Sequence, residues 1–131
     1  KVVYTSQYNK SSSNPDLPAV PVIDLVVANP EKSLPPITLK AVVDSGADYT
    51  IIPMESIEKL GLPIRKIRDV GDFTGGRHKV TLYFANITIP SLNEHPIMVI
   101  GMKGAYVLAG RDILNLYKVT LDGRQKKIEI E

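Results

Sequence analysis

The 131-residue sequence contains no cysteine. That excludes disulfides, thiolate catalysis and a Cys-based zinc site. It fits a reducing compartment, and the expected location is cytoplasmic. No apolar run approaches the ~20 residues of a membrane helix, and no signal-peptide pattern stands at the start, so no membrane partner is expected. Histidine is nearly absent too. His78 and His95 lie in unrelated contexts, without i, i+4 spacing or a third partner, so neither a metal nor a cofactor is expected. Net charge is small, with 16 Lys and Arg against 14 Asp and Glu, or +2. With the basic residues read as scattered and no aromatic stacking stripe, nucleic acid is not an expected partner. The first residue is Lys1 rather than Met, which reads as a processed product or an excised domain.

What is present is enough for one domain with a core that needs no staples; hydrophobic residues make up 44%. Residues 1–14 form an N-terminal strand and flexible segment, with a strand over Lys1–Thr5 and a polar link over Gln7–Asn14. That segment is open to pairing with a second subunit, a role Lys126–Ile130 could fill instead, to lying in a cleft, or to disorder. The remaining domain, 15–131, reads as short strands punctuated by proline and glycine. They cover Val22–Ala28, Ile37–Val43, Ile51–Ile52, Ile64–Asp69, Lys79–Ile89, Ile97–Ile100, Ala105–Leu108, Lys118–Leu121 and Lys126–Ile130. Asn29–Pro36 and Pro90–Pro96 read as loops. Glu55–Leu60 is a short amphipathic helix whose Ile57 and Leu60 share a face, stopped by Gly61. Asp112–Leu116 is about one helical turn. Asp122-Gly123 is a hairpin-turn dipeptide joining the last two strands. So many short strands with so little helix predict an all-β domain.

The chain is organised around Leu39 to Pro53. An apolar run, Ala41-Val42-Val43, ends in Asp44, the small residues Ser45, Gly46 and Ala47 turn the chain, and a second apolar run, Ile51-Ile52, follows. This pattern sets one carboxylate at a strand-to-loop corner. Asp-Ser-Gly is also ordinary β-turn chemistry. The wider pattern, apolar-apolar-Asp-Ser-Gly-Ala-Asp-x-Thr-apolar-apolar, resembles the active-site segment of retropepsins, the single-domain aspartic proteases of retroviruses, retroelements and some cells. Tyr106 to Leu114, an apolar strand followed by Gly110-Arg111-Asp112, resembles that family's second signature, 66 residues after Asp44. The likeness spans about Val20 to Ile130.

The resemblance implies a closed, barrel-like all-β retropepsin fold with one or two short helices and internal pseudo-two-fold symmetry. A faint echo between Val42–Gly46 and Val107–Gly110 agrees with that symmetry. It also implies an aspartic endopeptidase whose catalytic residue is Asp44. A lone carboxylate cannot be protonated and ionised at once, so a second Asp44 must come from a second copy, and homodimerisation becomes a chemical requirement. In this reading Ser45, Gly46 and Ala47 support the loop, with the Ser45 hydroxyl bonding across the dimer. No nucleophile elbow surrounds Ser45. Asp48 and Arg111 form an ion pair bracing dimer and site. Residues Gly71, Asp72, Phe73, Thr74, Gly75 and Gly76 form the tip of a flap that closes on an extended peptide or protein substrate. Ala41, Val43 and Ile52 line side-chain pockets or belong to the core. Ala47 offers the carboxylates no hydroxyl, so activity is expected nearer neutral than gastric pH. Asp16, Asp24, Asp69, Asp72, Asp112 and Asp122 read as caps, turns or solvated charges. The alternative is a catalytically weak peptide-binding or dimerisation module on the same fold.

Overall fold

The computed structural model describes residues 2–10, 15–71 and 74–131. In chain order its strands are β1 (Tyr4–Gln7), β2 (Asn9–Lys10), β3 (Ala19–Val20), β4 (Val22–Ala28), β5 (Ile37–Val43), β6 (Ile51–Pro53), β7 (Ile64–Gly71), β8 (Arg77–Thr88), β9 (Glu94–Met102), β10 (Leu108–Ala109), β11 (Val119–Asp122) and β12 (Lys127–Ile130). Two short helices, α1 (Met54–Leu60) and α2 (Arg111–Leu114), follow β6 and β10. The domain is all-β, as its punctuation predicts.

Seven strands form the main sheet in the order β4-β5-β10-β6-β9-β8-β7, and a further β4–β8 pairing carries the hydrogen bonding back from β8 to β4. The β4–β5 hairpin runs from Val22 opposite Val42 to Val27 opposite Ile37. Its inward positions are apolar, so Ile23, Leu25, Val27 and Ala41 are almost wholly buried. Burial of that kind, about 25 cal/mol per Å² of apolar surface, is the main force holding the strands together. Ile57 and Leu60 add the buried face of α1 to the same core. Gly61 ends the helix in the left-handed region at φ 60, as its position predicts. Asn29 completes that end: its side-chain amide donates to the carbonyls of Leu60 and Gly61 at 2.8 and 3.1 Å.

β1 pairs antiparallel with β12 of its own chain, Tyr4 opposite Ile130 and Gln7 opposite Lys127. With β11 they form a second sheet in the order β1-β12-β11. One edge of the N-terminal strand is therefore occupied from within the chain rather than left for a second subunit. The alternation that puts Ile128 and Ile130 on one face explains this choice, since both are buried in the shared core. Gln7–Asn14 is not a simple link: Gln7 closes β1, and Asn9 and Lys10 pair with Val20 and Ala19. Residues 11–14 lie outside the described residues.

Several boundaries differ from expectation by a few residues, three of them for clear local reasons. The Pro90–Pro96 loop is shorter, because Ser91 takes φ 73 and Leu92 N–H bonds to Ile89 O at 2.9 Å, which brings Glu94 opposite Thr88. The strand expected over Ala105–Leu108 is only Leu108–Ala109, the stretch that reaches β5 and β6. The last hairpin does not turn tightly on Asp122-Gly123. Asp122 accepts from Gln125 N–H at 3.0 Å, and the positive φ falls on Lys126, at 53. An aspartate that bonds its own following backbone favours this longer turn.

Candidate active site

Strand β5 delivers Asp44. Beside it lies β10, parallel, with Leu108 opposite Val42 and Ala109 opposite Val43. The two echoing segments are thus spatial neighbours. The ladder continues one step beyond the strands, where Asp44 N–H donates to Ala109 O at 3.0 Å. The chain then turns, with Ala47 N–H bonding to Asp44 O at 3.2 Å. Gly46 N–H donates to the Asp44 Oδ1 at 2.9 Å, orienting the carboxyl group. A side chain at Gly46 would begin 3.2 Å from that oxygen, so glycine lets the loop approach this closely.

The second signature holds the loop from outside. Arg111 forms an ion pair with Asp48. It also donates through Nη1 to Ser45 O at 2.8 Å, and its backbone N–H bonds to Ala47 O at 2.9 Å. Both charged groups are partly exposed, so the pairing holds loop geometry more than it adds stability. Gly110 lets the segments meet, because a Cβ there would lie 2.7 Å from both the carbonyl carbon and oxygen of Tyr49.

Beneath the loop lies a knot of Thr50 and Asp112, whose pairing the motifs did not announce. Thr50 is fully buried. Its N–H and hydroxyl donate to the two Asp112 carboxylate oxygens at 2.9 and 2.7 Å. The same hydroxyl oxygen accepts from Gly110 N–H at 3.2 Å. Asp112 also accepts from Ile113 N–H at 2.9 Å, as a residue in a first helical turn can. Asp112 is therefore more than a cap or a solvated charge: it ties the end of β10 to the chain entering β6. Burial pushes its carboxyl above the usual carboxylate range, and the donors from Thr50 and Ile113 pull partly back. The available signal was the Thr in Asp-x-Thr and the Asp in Gly-Arg-Asp, two polar residues that a buried strand end can hold only as partners.

Asp44, Ser45, Gly46, Ala47, Asp48 and Arg111 are thus brought together. Of the pocket candidates, Ala41 and Ile52 are wholly buried core and Val43 is half-buried. The predicted flap is the β7–β8 hairpin, paired from Ile64 opposite Tyr83 to Gly71 opposite Arg77. At its tip Gly75 takes φ +86 and Thr74 is exposed, while Asp72 and Phe73 lie outside the described residues. A contact no motif announced joins this hairpin to the Asp44 loop: Arg68 Nη1 donates to the Tyr49 hydroxyl at 2.6 Å. The positive charge read as scattered is gathered by this ladder, which carries Arg65, Lys66, Arg68, Arg77 and Lys79. A cavity of about 610 Å³ bounded by Thr38, Lys40, Pro53, Glu55, Gly104 and Ala105 does not include Asp44. Among the described residues no group of three His, Asp or Glu side chains could hold a metal, and no helix is long and apolar enough to cross a membrane.

The Asp-Ser-Gly corner lies against the Gly-Arg-Asp turn beside a parallel β5–β10 pair, and the fold as a whole is that of the retropepsin-like aspartic proteases. Among solved structures the chain is similar to a retropepsin-like aspartic protease from Rickettsia conorii, at 18% identity and a TM-score of 0.60, over 98% of this chain and 91% of that one. It is similar to EIAV protease complexed with the inhibitor HBY-793, at 17% identity and 0.52, over 79% and 91%. It is also similar to the retroviral protease-like domain of Ddi1 from Leishmania major, at 16% and 0.52, over 86% and 90%. No protein-family model matches the sequence, and no curated protein does.

Proposed function

We propose that this protein is an aspartic endopeptidase that works as a homodimer, with one Asp44 from each copy. The observation that carries the reading is the Asp44 corner itself. A carboxylate stands at a rigid strand end, oriented by Gly46 N–H and tied by Asp44 N–H to a parallel neighbour. Its fold is shared with proteins that are aspartic proteases.

Two carboxylates about 3 Å apart cannot both ionise, and in aspartic proteases the pair is known to share one proton. The ionised Asp44 takes a proton from a bound water, whose oxygen attacks the peptide carbonyl carbon. The protonated Asp44 supports the developing oxyanion. The same pair then returns a proton to the leaving amine. The β7–β8 hairpin covers the substrate as a flap, and the Asp48–Arg111 pair braces loop and interface. Ala47 brings no donor to the carboxylates, so activity is expected nearer neutral than gastric pH.

The test is cleavage of a peptide library read by mass spectrometry, the wild type beside Asp44→Asn, with sedimentation of both. The substitution is expected to lower kcat/KM by about 10³-fold and to leave the dimer assembled. Cleavage that survives it, or full activity in a strictly monomeric protein, overturns the reading.

A further inference from the structure

The chain's positive charge is not spread over its surface. Residues 64–79 hold five of the Lys and Arg against two Asp, and the rest of the chain holds 11 against 12. The net charge of +2 is therefore a +3 hairpin attached to a slightly acidic body. All five cationic side chains, Arg65, Lys66, Arg68, Arg77 and Lys79, are exposed. The ladder register sorts them. Lys66 stands opposite Leu82 and Arg68 opposite Val80, on one face. Leu82 is fully buried at the foot of this face, and Lys66 and Arg68 along it are exposed. Arg68 reaches the active-site loop from it, at Tyr49, five residues beyond Asp44.

We propose that this hairpin selects acidic extended peptides, with Arg68 as a specificity-determining residue and its neighbouring cations as an attracting field. The proposal rests on the protease reading, in that the selected peptide is the substrate. A peptide that reaches Asp44 beneath the hairpin passes the Arg68 guanidinium, which Tyr49 holds in position. A carboxylate there gains a fork-shaped donor. Clustered like charge on a protruding arm also raises the local concentration of an oppositely charged ligand. The chemistry favours a peptide over nucleic acid. On the Arg68 face the cations stand opposite Leu82 and Val80, an apolar component that a peptide side chain uses and a phosphate backbone does not. Phe84 is already faced by the Arg65 guanidinium, 5.9 Å from its ring centre, rather than offered to a base.

The experiment uses the full chain in three forms: wild type, Asp44→Asn, and Asp44→Asn carrying Arg65→Gln, Lys66→Gln and Arg68→Gln. The three added substitutions are at exposed positions, and circular dichroism checks that the fold is kept. The probes are fluorescein-labelled peptides of alternating Glu and Val or Gln and Val, and an oligothymidylate of matched charge. Anisotropy with Asp44→Asn is expected to show the Glu peptide bound about tenfold tighter than the Gln peptide at low salt, the sum of several exposed ion pairs. The preference should collapse in the neutralised variant, and in ~1 M salt, where screening acts within ~3 Å. Equal affinity for the Glu and Gln peptides, a preference that survives neutralisation, or oligothymidylate binding as tightly as the Glu peptide overturns the proposal. Wild-type cleavage separates the two readings. Glu-peptide binding without any cleavage keeps the arm and removes the protease. Equal cleavage of Glu and Gln peptides keeps the protease and removes the arm.

Discussion

Strand β8 belongs to two different environments. From Leu82 onward it lies in the main sheet, with Leu82, Ala85 and Ile87 fully buried and β9 and β4 as partners. From Arg77 to Val80 it has β7 as its partner and carries exposed charge. The same contrast separates the Asp44 corner from the hairpin. The Asp44 corner is backed by hydrogen bonds that Thr50, Gly110 and Arg111 donate, those to Asp112 partly buried and that from Gly110 to Thr50 buried. The hairpin rests on a two-stranded ladder and the exposed Arg68–Tyr49 bond. Buried polar knots are costly to break, because each orphaned group stays desolvated. Exposed ladders open cheaply, because water replaces what is lost. The corner is held by more, and better shielded, hydrogen bonds than the hairpin.

Breaking the first half should cost most at Gly110. A Cβ at this position meets Tyr49 backbone, which cannot swing aside as a side chain can. Gly110→Ala is expected to destabilise by about 3 kcal/mol, read from denaturant unfolding; a wild-type midpoint would mean the segments do not approach so closely. Thr50→Val keeps the shape and removes the hydroxyl, leaving Gly110 N–H and an Asp112 oxygen without it. A loss of about 2 kcal/mol is expected, and a loss no larger than that of an exposed Thr→Val control would dissolve the knot as an explanation.

A smaller, pH-dependent effect belongs to Asp112. Its carboxyl is raised in the fold from an ordinary 3.8, so between that value and the raised one the folded state holds more proton than the unfolded. The stability this brings is complete below pH 3.8 and declines as pH rises through the folded value. Melting temperature against pH should therefore show a falling segment just above pH 3.8 in the wild type that Asp112→Asn lacks; parallel curves would contradict the burial of this carboxyl. The smallest effect sharpens the other half. Tyr49→Phe removes the partner of an exposed bond and should change global stability by about 0.5 kcal/mol or less. Amide exchange in Ile67–Val70 should nevertheless quicken, and unchanged exchange would show that the Arg68 bond does not restrain the hairpin.

Much of this was legible from residues alone. Val22–Ala28 and Ile37–Val43 were readable to the residue, because proline and polar loops bound apolar strands on both sides. Ile57 and Leu60 announced the buried face of α1, and the paired motifs announced the corner around Asp44. The Thr50–Asp112 knot was only faintly legible, in the polar members of the two motifs. Its members stand 62 residues apart, and at that distance a threonine and an aspartate look like two surface residues. The basic hairpin was missed for a different reason. Its five cations were counted against the whole chain, and only the β7–β8 register reveals that they share one arm.

What the order of residues determined alone was local: where strands run, where glycine and proline interrupt them, and which end carries an aspartate. Those outcomes follow from backbone sterics and apolar periodicity, which act over a few neighbours. The tertiary structure alone decided that β5 and β10 lie side by side, that β1 finds β12 within its own chain, and that Arg68 meets Tyr49. Such contacts join segments distant in sequence, and they form only because one shared core buries all of their apolar faces together.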